Sequence, residues 1–290
     1  MKEVDFIFNI DNIKNAEHEV IKILTHQHKI GYDVDFLLSC IDKIYSYSNK
    51  FQIDFNVFDL CGTGGSGKNR INLSTALSFL MKDEFAIAKH GNRSSSGKIG
   101  SFDIIEKIGY KISENEIDTI KFLKKDNIAF LLAPNFNIFL GNFKQIRAKI
   151  QHPTLFNYLM PLLHPISNLT AQIIGVSDIK IIPKLAEIAR ILKKNCLFVH
   201  DLKNGLDDCS ICGKTKATSV IFGNIREYEF YPEDYNIKTV LDEKSIMTNG
   251  RIDENIKIFN QIITNSARVE VERFVKLNYL VAKEFFNKFI

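Results

Sequence analysis

The sequence has no long apolar run and no strong excess of charge. None of the apolar runs in its 290 residues approaches the ~20 residues that a membrane-spanning helix needs, and the first five residues lack a signal-peptide pattern. The formal net charge is only +4, and the lysines are scattered through predicted helices, which favours a solvated surface over nucleic-acid binding. We therefore expect a cytoplasmic protein without membrane contact, for which nucleic acid is not the expected partner.

Cysteine is also scarce, with five residues in the chain. Only Cys209 and Cys212 have the C-x-x-C spacing, and neither a second pair nor nearby histidines complete a zinc site. We predict free thiols in a reducing compartment. The sequence also lacks internal repeats and low-complexity linkers, and its length and 45% hydrophobic content allow one full α/β core and a smaller domain.

Glycine is concentrated in one stretch, from Asp59 to Thr75. An apolar run at 55–60 predicts a buried strand and residues 76–81 predict a helix, with four glycines in between, at 62, 64, 65 and 67. Such a loop lets backbone N–H groups approach a phosphate at a helix N-terminus. The alternative is an ordinary strand-to-helix turn.

Two common phosphate-binding motifs do not fit this stretch. A Walker loop needs a hydroxyl where Asn69 stands, and the dinucleotide-binding fingerprint needs an acidic residue about twenty residues further on, where the run 85–89 lies instead, which is apolar up to residue 88. A second polar and cationic stretch, residues 89–98, follows that apolar run directly. Because ligands bind outside the carboxyl ends of parallel strands, we expect both loops to face one site.

These two loops and several later segments carry a family resemblance. The chain resembles the anthranilate phosphoribosyltransferases, within the wider family that includes the pyrimidine nucleoside phosphorylases. The resemblance runs in the same order from about residue 51 to the C-terminus, through D-L-C-G-T-G-G at 59–65, N-L-S-T at 72–75, K-H-G-N-R at 89–93, S-G-K-I-G-S-F-D at 96–103, P-T-L-F-N at 153–157, G-L-D-D at 205–208 and Y-P-E-D-Y at 231–235.

The alternation of strands and helices predicts the fold class, an α/β fold with a central, mostly parallel sheet flanked by helices. Residues 1–50 and about 139–163 read as helical, which adds a smaller all-helical domain. We assign residues 1–52 and 136–168 to this helical domain, and residues 53–135 and 169–290 to the α/β domain. The resemblance implies that the helical domain also forms a homodimer contact.

The chemistry that the resemblance implies is transfer of 5-phosphoribose from phosphoribosyl pyrophosphate to the amine of anthranilate, in tryptophan biosynthesis. Substitution at the anomeric carbon builds positive charge on the ribose and negative charge on the departing pyrophosphate. Catalysis should then depend on neutralising pyrophosphate and excluding water, without a protein nucleophile. Mg²⁺ is the expected cofactor, since it shares oxygen ligands with phosphates.

The resemblance also assigns residues to three groups, although each has a structural alternative such as a turn, a helix cap or a surface side chain. Phosphoribosyl pyrophosphate is expected to contact Gly62, Thr63, Gly64, Gly65, Asn72, Ser74, Thr75, Lys89 and Ser96. One Mg²⁺ is assigned to Ser74 and a second to Asp207 and Asp208. The acceptor is assigned to His90, Asn92, Arg147 and Met160, where Asn92 and Arg147 would hold the carboxylate of anthranilate.

Several residues differ from the family pattern. Ser66 replaces an aspartate, Asn137 a histidine and Asp208 a glutamate, while Met160 and His164 replace a glycine and an asparagine. The acceptor is therefore anthranilate or another aromatic or heterocyclic amine. A non-catalytic relative that binds nucleic acid is a third hypothesis, and nucleoside phosphorolysis is a weaker fourth.

Overall fold

A computed structural model of the chain describes residues 2–93 and 100–290. Its N-terminal part is helical, as predicted, with α1 (Lys2–Ile7), α2 (Ile10–Asn15), α3 (Glu17–Ile30) and α4 (Val34–Tyr45). Gly31 ends α3 because it adopts φ +88°, a left-handed conformation that glycine adopts without strain. Asp33 then caps α4, since its carboxylate accepts the N–H groups of Asp35 and Phe36.

A single seven-stranded sheet forms the centre of the described chain. Its strands are β1 (Phe58–Gly62), β2 (Ile87–Gly91), β3 (Ile128–Leu132), β4 (Ala171–Gly175), β5 (Cys196–Asp201), β6 (Thr215–Ile221) and β7 (Asn224–Phe230). The spatial order is β3-β2-β1-β4-β5-β6-β7, parallel from β3 to β5 and antiparallel from β5 to β7. The predicted mostly parallel sheet is confirmed.

The order of the strands reverses at β1. The chain proceeds from β1 outward to β2 and β3, and then returns to place β4 on the other side of β1. In open α/β sheets, ligands bind at such a reversal, outside the carboxyl ends of the two strands. The glycine-rich loop follows β1, so the fold places it at this position.

Further helices follow along the chain, some on the sheet and some on the N-terminal helices. They are α5 (Leu73–Met81), α6 (Ser101–Lys107), α7 (Glu116–Asp126), α8 (Ala133–Phe136), α9 (Lys144–Lys149), α10 (Leu155–Leu159), α11 (Ile182–Ile191), α12 (Ile252–Ile263) and α13 (Val269–Phe286). Short 3₁₀ turns at Ile138–Phe143 and Met160–Leu162 extend α9 and α10. At the start of α6, Gly100 precedes the helix and donates its N–H to the carboxylate of Asp103 at 2.7 Å.

Aromatic side chains join the N-terminal helices to the later helical segments. Phe8 packs against Phe143, with ring centroids 5.4 Å apart, and against Phe139 and Phe156, both at 6.2 Å. The same apolar core continues into the sheet through Ile174 and Phe198. The helical segments therefore share one core with a face of the sheet, and the division into two domains stays a prediction.

Two further observations bear on the compartment and the membrane. The five cysteines, all of which lie within the described ranges, are free thiols. In residues 2–93 and 100–290, no helix combines the length and apolar character needed to cross a bilayer.

Candidate active site

The loop after β1 has the backbone geometry of an anion-binding turn. Gly64, Gly65 and Gly67 have φ values of +63°, +83° and +74°, a series of left-handed residues that turns neighbouring N–H groups towards one side. A Cβ on Gly65 would also lie 2.8 Å from Pro153, which excludes larger residues there. The N–H groups of Gly65 and Ser66 have no partner among the described residues, so both are available to a phosphate.

Hydrogen bonds hold this loop against the end of β4. Thr63 donates its N–H to the carbonyl of Gly175 at 2.8 Å, and its hydroxyl accepts the N–H of Ser177 at 3.2 Å. The Ser177 hydroxyl donates to the carbonyl of Gly64 at 2.6 Å. Ser177 escaped the sequence analysis because nothing local to β4 shows that it meets a loop more than a hundred residues earlier.

Asp207 packs directly over the ends of β1 and β4. Its carboxylate accepts the N–H of Gly64 at 3.0 Å, and its side chain is almost fully buried. A Cβ on Gly175 would lie 1.8 Å from the carbonyl oxygen of Asp207, and one on Gly62 would lie 2.5 Å from its carboxylate. Glycine is therefore required at both strand ends for Asp207 to reach the loop.

Arg70 bridges the two aspartates that were predicted to bind a metal. Its Nη2 lies 2.5 Å from Asp207 Oδ1, and its Nη1 donates to Asp208 Oδ2. Burial raises the pKa of Asp208 to about 7 even though Arg70 opposes this rise. Burial also disfavours the charged guanidinium, but the two carboxylates outweigh that effect and raise the pKa of Arg70. In the sequence, Arg70 is marked only by its place in a glycine-rich, cationic loop.

The residues present fit Mg²⁺ unevenly. Carboxylate and hydroxyl oxygens are suitable donors, but a divalent ion at Asp207 and Asp208 would have to displace Arg70 from both. The described ranges contain no group of three or more His, Cys, Asp or Glu residues placed to hold a metal. The aspartate pair thus does not fit a resident ion while Arg70 occupies it, and its assignment as a metal site stays a prediction.

Lys89 lies on β2 and is buried, and its ammonium reaches Ser74, which was predicted to contact phosphate and Mg²⁺. Its ammonium donates to the carbonyl of Leu60 at 2.7 Å and to Ser74 Oγ at 2.9 Å, and burial lowers its pKa. Asp59 is fully buried beside it and accepts the N–H of His90 through Oδ1, while its Oδ2 has no partner among the described residues. Burial raises the pKa of Asp59 to about 6, although Lys89 opposes the shift.

The other predicted phosphate contacts are placed differently from one another. Asn72 precedes α5 without capping it, and its amide donates to Asn255 at 3.1 Å. Ser74 lies within α5, so the structural alternative of a helix cap does not apply to it. Thr75 is buried and its hydroxyl has no partner among the described residues. Ser96 lies outside the described residues.

The four predicted acceptor residues also differ in their surroundings. His90 is buried, and burial together with Lys89 lowers its pKa to about 3, so it is neutral. Asn92 is exposed and accepts the N–H of Arg93 at 2.8 Å. Arg147 is half-buried over the Phe156 ring, 5.7 Å from its centroid, and burial lowers its pKa. Met160 packs against the helical core and remains half-buried.

Two departures from the family pattern are explained by packing. Asn137 is buried, and its amide donates to the carbonyl of Ile44 and to the hydroxyl of Ser48. His164 is buried with Nε2 2.9 Å from the carbonyl of Ala88, while its Nδ1 accepts the N–H of Ile166, which fixes a neutral ring protonated at Nε2. Asn137 thus holds its segment against α4. His164 is bonded to β2, and its ring also packs on that of His90, a predicted acceptor residue, with centroids 5.3 Å apart.

Sequence comparison assigns the chain to a known family. Residues 54–282 match the sequence model of a glycosyltransferase class, described as "Glycosyl transferase family, a/b domain". The anthranilate phosphoribosyltransferase of Dictyoglomus turgidum is 33% identical over 266 residues, which cover 91% of this chain and 78% of that protein. The chain belongs to the anthranilate phosphoribosyltransferase family.

Solved structures share the fold. The anthranilate phosphoribosyltransferase of Saccharomyces cerevisiae in complex with PRPP and Mg superposes with a TM-score of 0.83 at 22% identity, covering 99% of this chain and 84% of that one. The same yeast enzyme in complex with 4-fluoroanthranilate gives the same TM-score, identity and coverage. At this identity the likeness establishes the architecture alone.

Proposed function

We propose that this protein transfers 5-phosphoribose from phosphoribosyl pyrophosphate to the amine of anthranilate, as a step of tryptophan biosynthesis. One observation carries the proposal: the glycine-rich loop, the end of β4 and Asp207 meet where the strand order reverses. An α/β sheet binds its ligand at that position, and the chain belongs to a family whose members carry this activity in their names.

The described residues suit the phosphate half of the reaction. The free N–H groups of Gly65 and Ser66 would bind phosphate oxygens, and the left-handed glycines allow the close approach. When the bond between the anomeric carbon and pyrophosphate breaks, its electron pair leaves with pyrophosphate, and fixed N–H donors stabilise that charge without reorganisation. The amine nitrogen bonds to the same carbon and then loses a proton.

Arg147 supplies the argument for an acceptor that carries a carboxylate. Its guanidinium is half-buried, and it has neither an ion pair nor a hydrogen bond among the described residues. A desolvated cation without a partner is unfavourable, so an anionic ligand would gain a charged hydrogen bond there. The segment that packs on Arg147 through Phe156 also contacts the glycine-rich loop, through Pro153 at Gly65 and through Asn157, which donates to the Thr63 carbonyl at 3.4 Å.

Mg²⁺ is the cofactor that we propose for this reaction. When bound, this ion would neutralise negative charge on the leaving group. Asn72 and Ser74 would hold the diphosphate and its ion, and Lys89 keeps the Ser74 hydroxyl in place with its hydrogen bond. Lys89 would thus support the site through Ser74. The family resemblance had implied a direct contact between Lys89 and phosphate.

A turnover assay tests the proposal. Purified protein with phosphoribosyl pyrophosphate and Mg²⁺ should release pyrophosphate only when an acceptor is present, and anthranilate should be the best of a panel of aromatic and heterocyclic amines. If pyrophosphate were released only with a different amine, the proposed phosphoribose transfer would stand, but the acceptor would not be anthranilate. No release with any amine, together with a sub-micromolar nucleic-acid complex at physiological salt, would favour a binding protein instead.

We also propose a homodimer formed through the helical part. Four large apolar side chains on this part are exposed, namely Ile10, Ile30, Tyr47 and Ile138. Contact between two copies of the chain would remove their apolar surface from water. Light scattering should give twice the chain mass of 33.2 kDa, and Ile30→Asp should reduce it. A monomeric wild-type protein would refute the dimer.

The cytoplasmic location stays a prediction from the sequence.

A further inference from the structure

The predicted second metal site contains a cation that belongs to the chain itself. We propose that Arg70 takes the place of a divalent ion at Asp207 and Asp208, so that phosphoribosyl pyrophosphate binds with one divalent ion fewer than the two assigned from the family pattern. The inference rests on the proposed function for its substrate and on the contacts of Arg70 for everything else.

The guanidinium satisfies both carboxylates at once. Nη2 contacts Asp207 and Nη1 contacts Asp208, which is the bridging role that a metal would have. The side chains of the three residues are 16%, 2% and 10% exposed, so the ion pairs are shielded from water. Breaking a buried pair leaves an uncompensated buried charge, and an entering ion would have to break two of them.

The backbone holds Arg70 in this position. Arg70 pairs with Met247 in an antiparallel bridge, and the neighbouring Ile71 donates its N–H to the carbonyl of Ile246 at 3.3 Å. On the other side, the ammonium of Lys68 lies 2.8 Å from Glu243. The guanidinium is therefore delivered by a segment anchored on both sides, and not by a freely moving loop.

The second carboxylate oxygen of Asp207 also has a hydrogen-bond partner. Asp207 Oδ2 accepts the N–H of Gly64, which keeps this carboxylate turned towards the glycine-rich loop. With Arg70 in place, one of the two negative charges beside the phosphate site is neutralised, and Lys89 adds a second cation close enough to interact with Asp208. The site can thus accept a polyanion without a second divalent ion.

Counting bound Mn²⁺ by electron paramagnetic resonance tests the inference on the wild-type protein. With saturating phosphoribosyl pyrophosphate, we expect one bound Mn²⁺ per chain, and two would overturn the inference. If no Mn²⁺ binds in the presence of this substrate, the proposed function fails. The Arg70 inference is then still decided by the metal-only measurement that follows.

Mn²⁺ alone, without substrate, probes the aspartate pair. Arg70→Met removes the cation while keeping an extended side chain, so this variant should bind a Mn²⁺ ion that wild type does not, and its melting temperature should rise with Mn²⁺. Adding Asp208→Asn to that variant should abolish the new binding. Arg190→Met, which removes an exposed arginine that pairs with Glu187 on α11 and does not contact the aspartates, is the matched control and should bind like wild type.

Two results would overturn the inference in this arm: wild type that binds Mn²⁺ alone as tightly as Arg70→Met, or an Arg70→Met protein that folds and gains no Mn²⁺ site. Circular dichroism establishes folding. Should Arg70→Met not fold, the ion count on wild type with substrate decides the question by itself.

Discussion

Replacing Gly175 by alanine should displace Asp207 from the strand ends while leaving its carboxylate chemically unchanged. The new methyl group would lie 1.8 Å from the carbonyl oxygen of Asp207, and that oxygen must retreat to at least 3.4 Å for an ordinary contact. The neighbour is backbone, so no side-chain rotation relieves the overlap. The segment that carries Asp207 has to move away from the strand ends.

The displacement breaks contacts that the structure places on Asp207. Its carboxylate would lose the N–H of Gly64 at 3.0 Å and the guanidinium of Arg70 at 2.5 Å. Overpacking of this kind costs about 1–3 kcal/mol of unfolding free energy. Because a misplacement of about 1 Å can reduce a rate roughly 100-fold, we expect kcat/KM to fall by about that factor.

Urea denaturation and the pyrophosphate-release assay measure the two effects. Gly141→Ala is the matched control, because a Cβ there meets no atom within 4 Å and its φ is not positive. This control should stay within about 0.5 kcal/mol of wild type and keep its activity. If Gly175→Ala matches Gly141→Ala in both stability and kcat/KM, the role assigned to the packing of Asp207 on β4 is wrong.

Three further predictions concern the buried acid and the acceptor side. The pKa of Asp59, about 6, lies above its reference value of 3.8, so the native state loses stability as the pH rises between these values. The unfolding free energy of Asp59→Asn relative to wild type should therefore rise over this range, by up to about 3 kcal/mol at about 1.4 kcal/mol per tenfold proton affinity; equal differences at both ends would refute this. Arg147→Ala should raise the acceptor KM, since a charged hydrogen bond contributes roughly 1.5–3 kcal/mol, and leave the KM for phosphoribosyl pyrophosphate unchanged. Lys149→Ala on the same helix is its control, and an unchanged acceptor KM in Arg147→Ala would remove the carboxylate assignment. Met160→Gly should speed anthranilate turnover if the methionine only crowds the pocket, whereas slower turnover would mean that Met160 shapes the acceptor site.

The local signals in the sequence were sufficient where neighbouring residues carry the structure. Gly31 and Asp33 mark the boundary between α3 and α4, and a left-handed glycine and a capping carboxylate act within one helical turn. The glycines after β1 likewise predicted a loop that approaches anions, because their conformational freedom does not depend on the rest of the chain. The alternation of strands and helices was enough for a mostly parallel sheet.

Local pattern was less informative between Asp208 and Tyr231. No strands were predicted there, yet β6 and β7 form an antiparallel hairpin at the sheet edge. The strand after β5 could run in either direction as far as its composition shows. Pairing with β5 on one side and with its own hairpin partner on the other selects the direction.

The contacts between distant segments were decided only by the tertiary structure. Arg70 lies more than a hundred residues before the two aspartates that it bridges, and Ser177 is also more than a hundred residues from the loop that it holds. The sequence by itself determined that a glycine-rich, cationic loop follows a buried strand and that an aspartate pair follows another. That these elements meet, and that the arginine faces both carboxylates, depends on β4 lying between β1 and β5 in the sheet, because strand order is set by packing across the whole core and leaves no periodic signal in the chain.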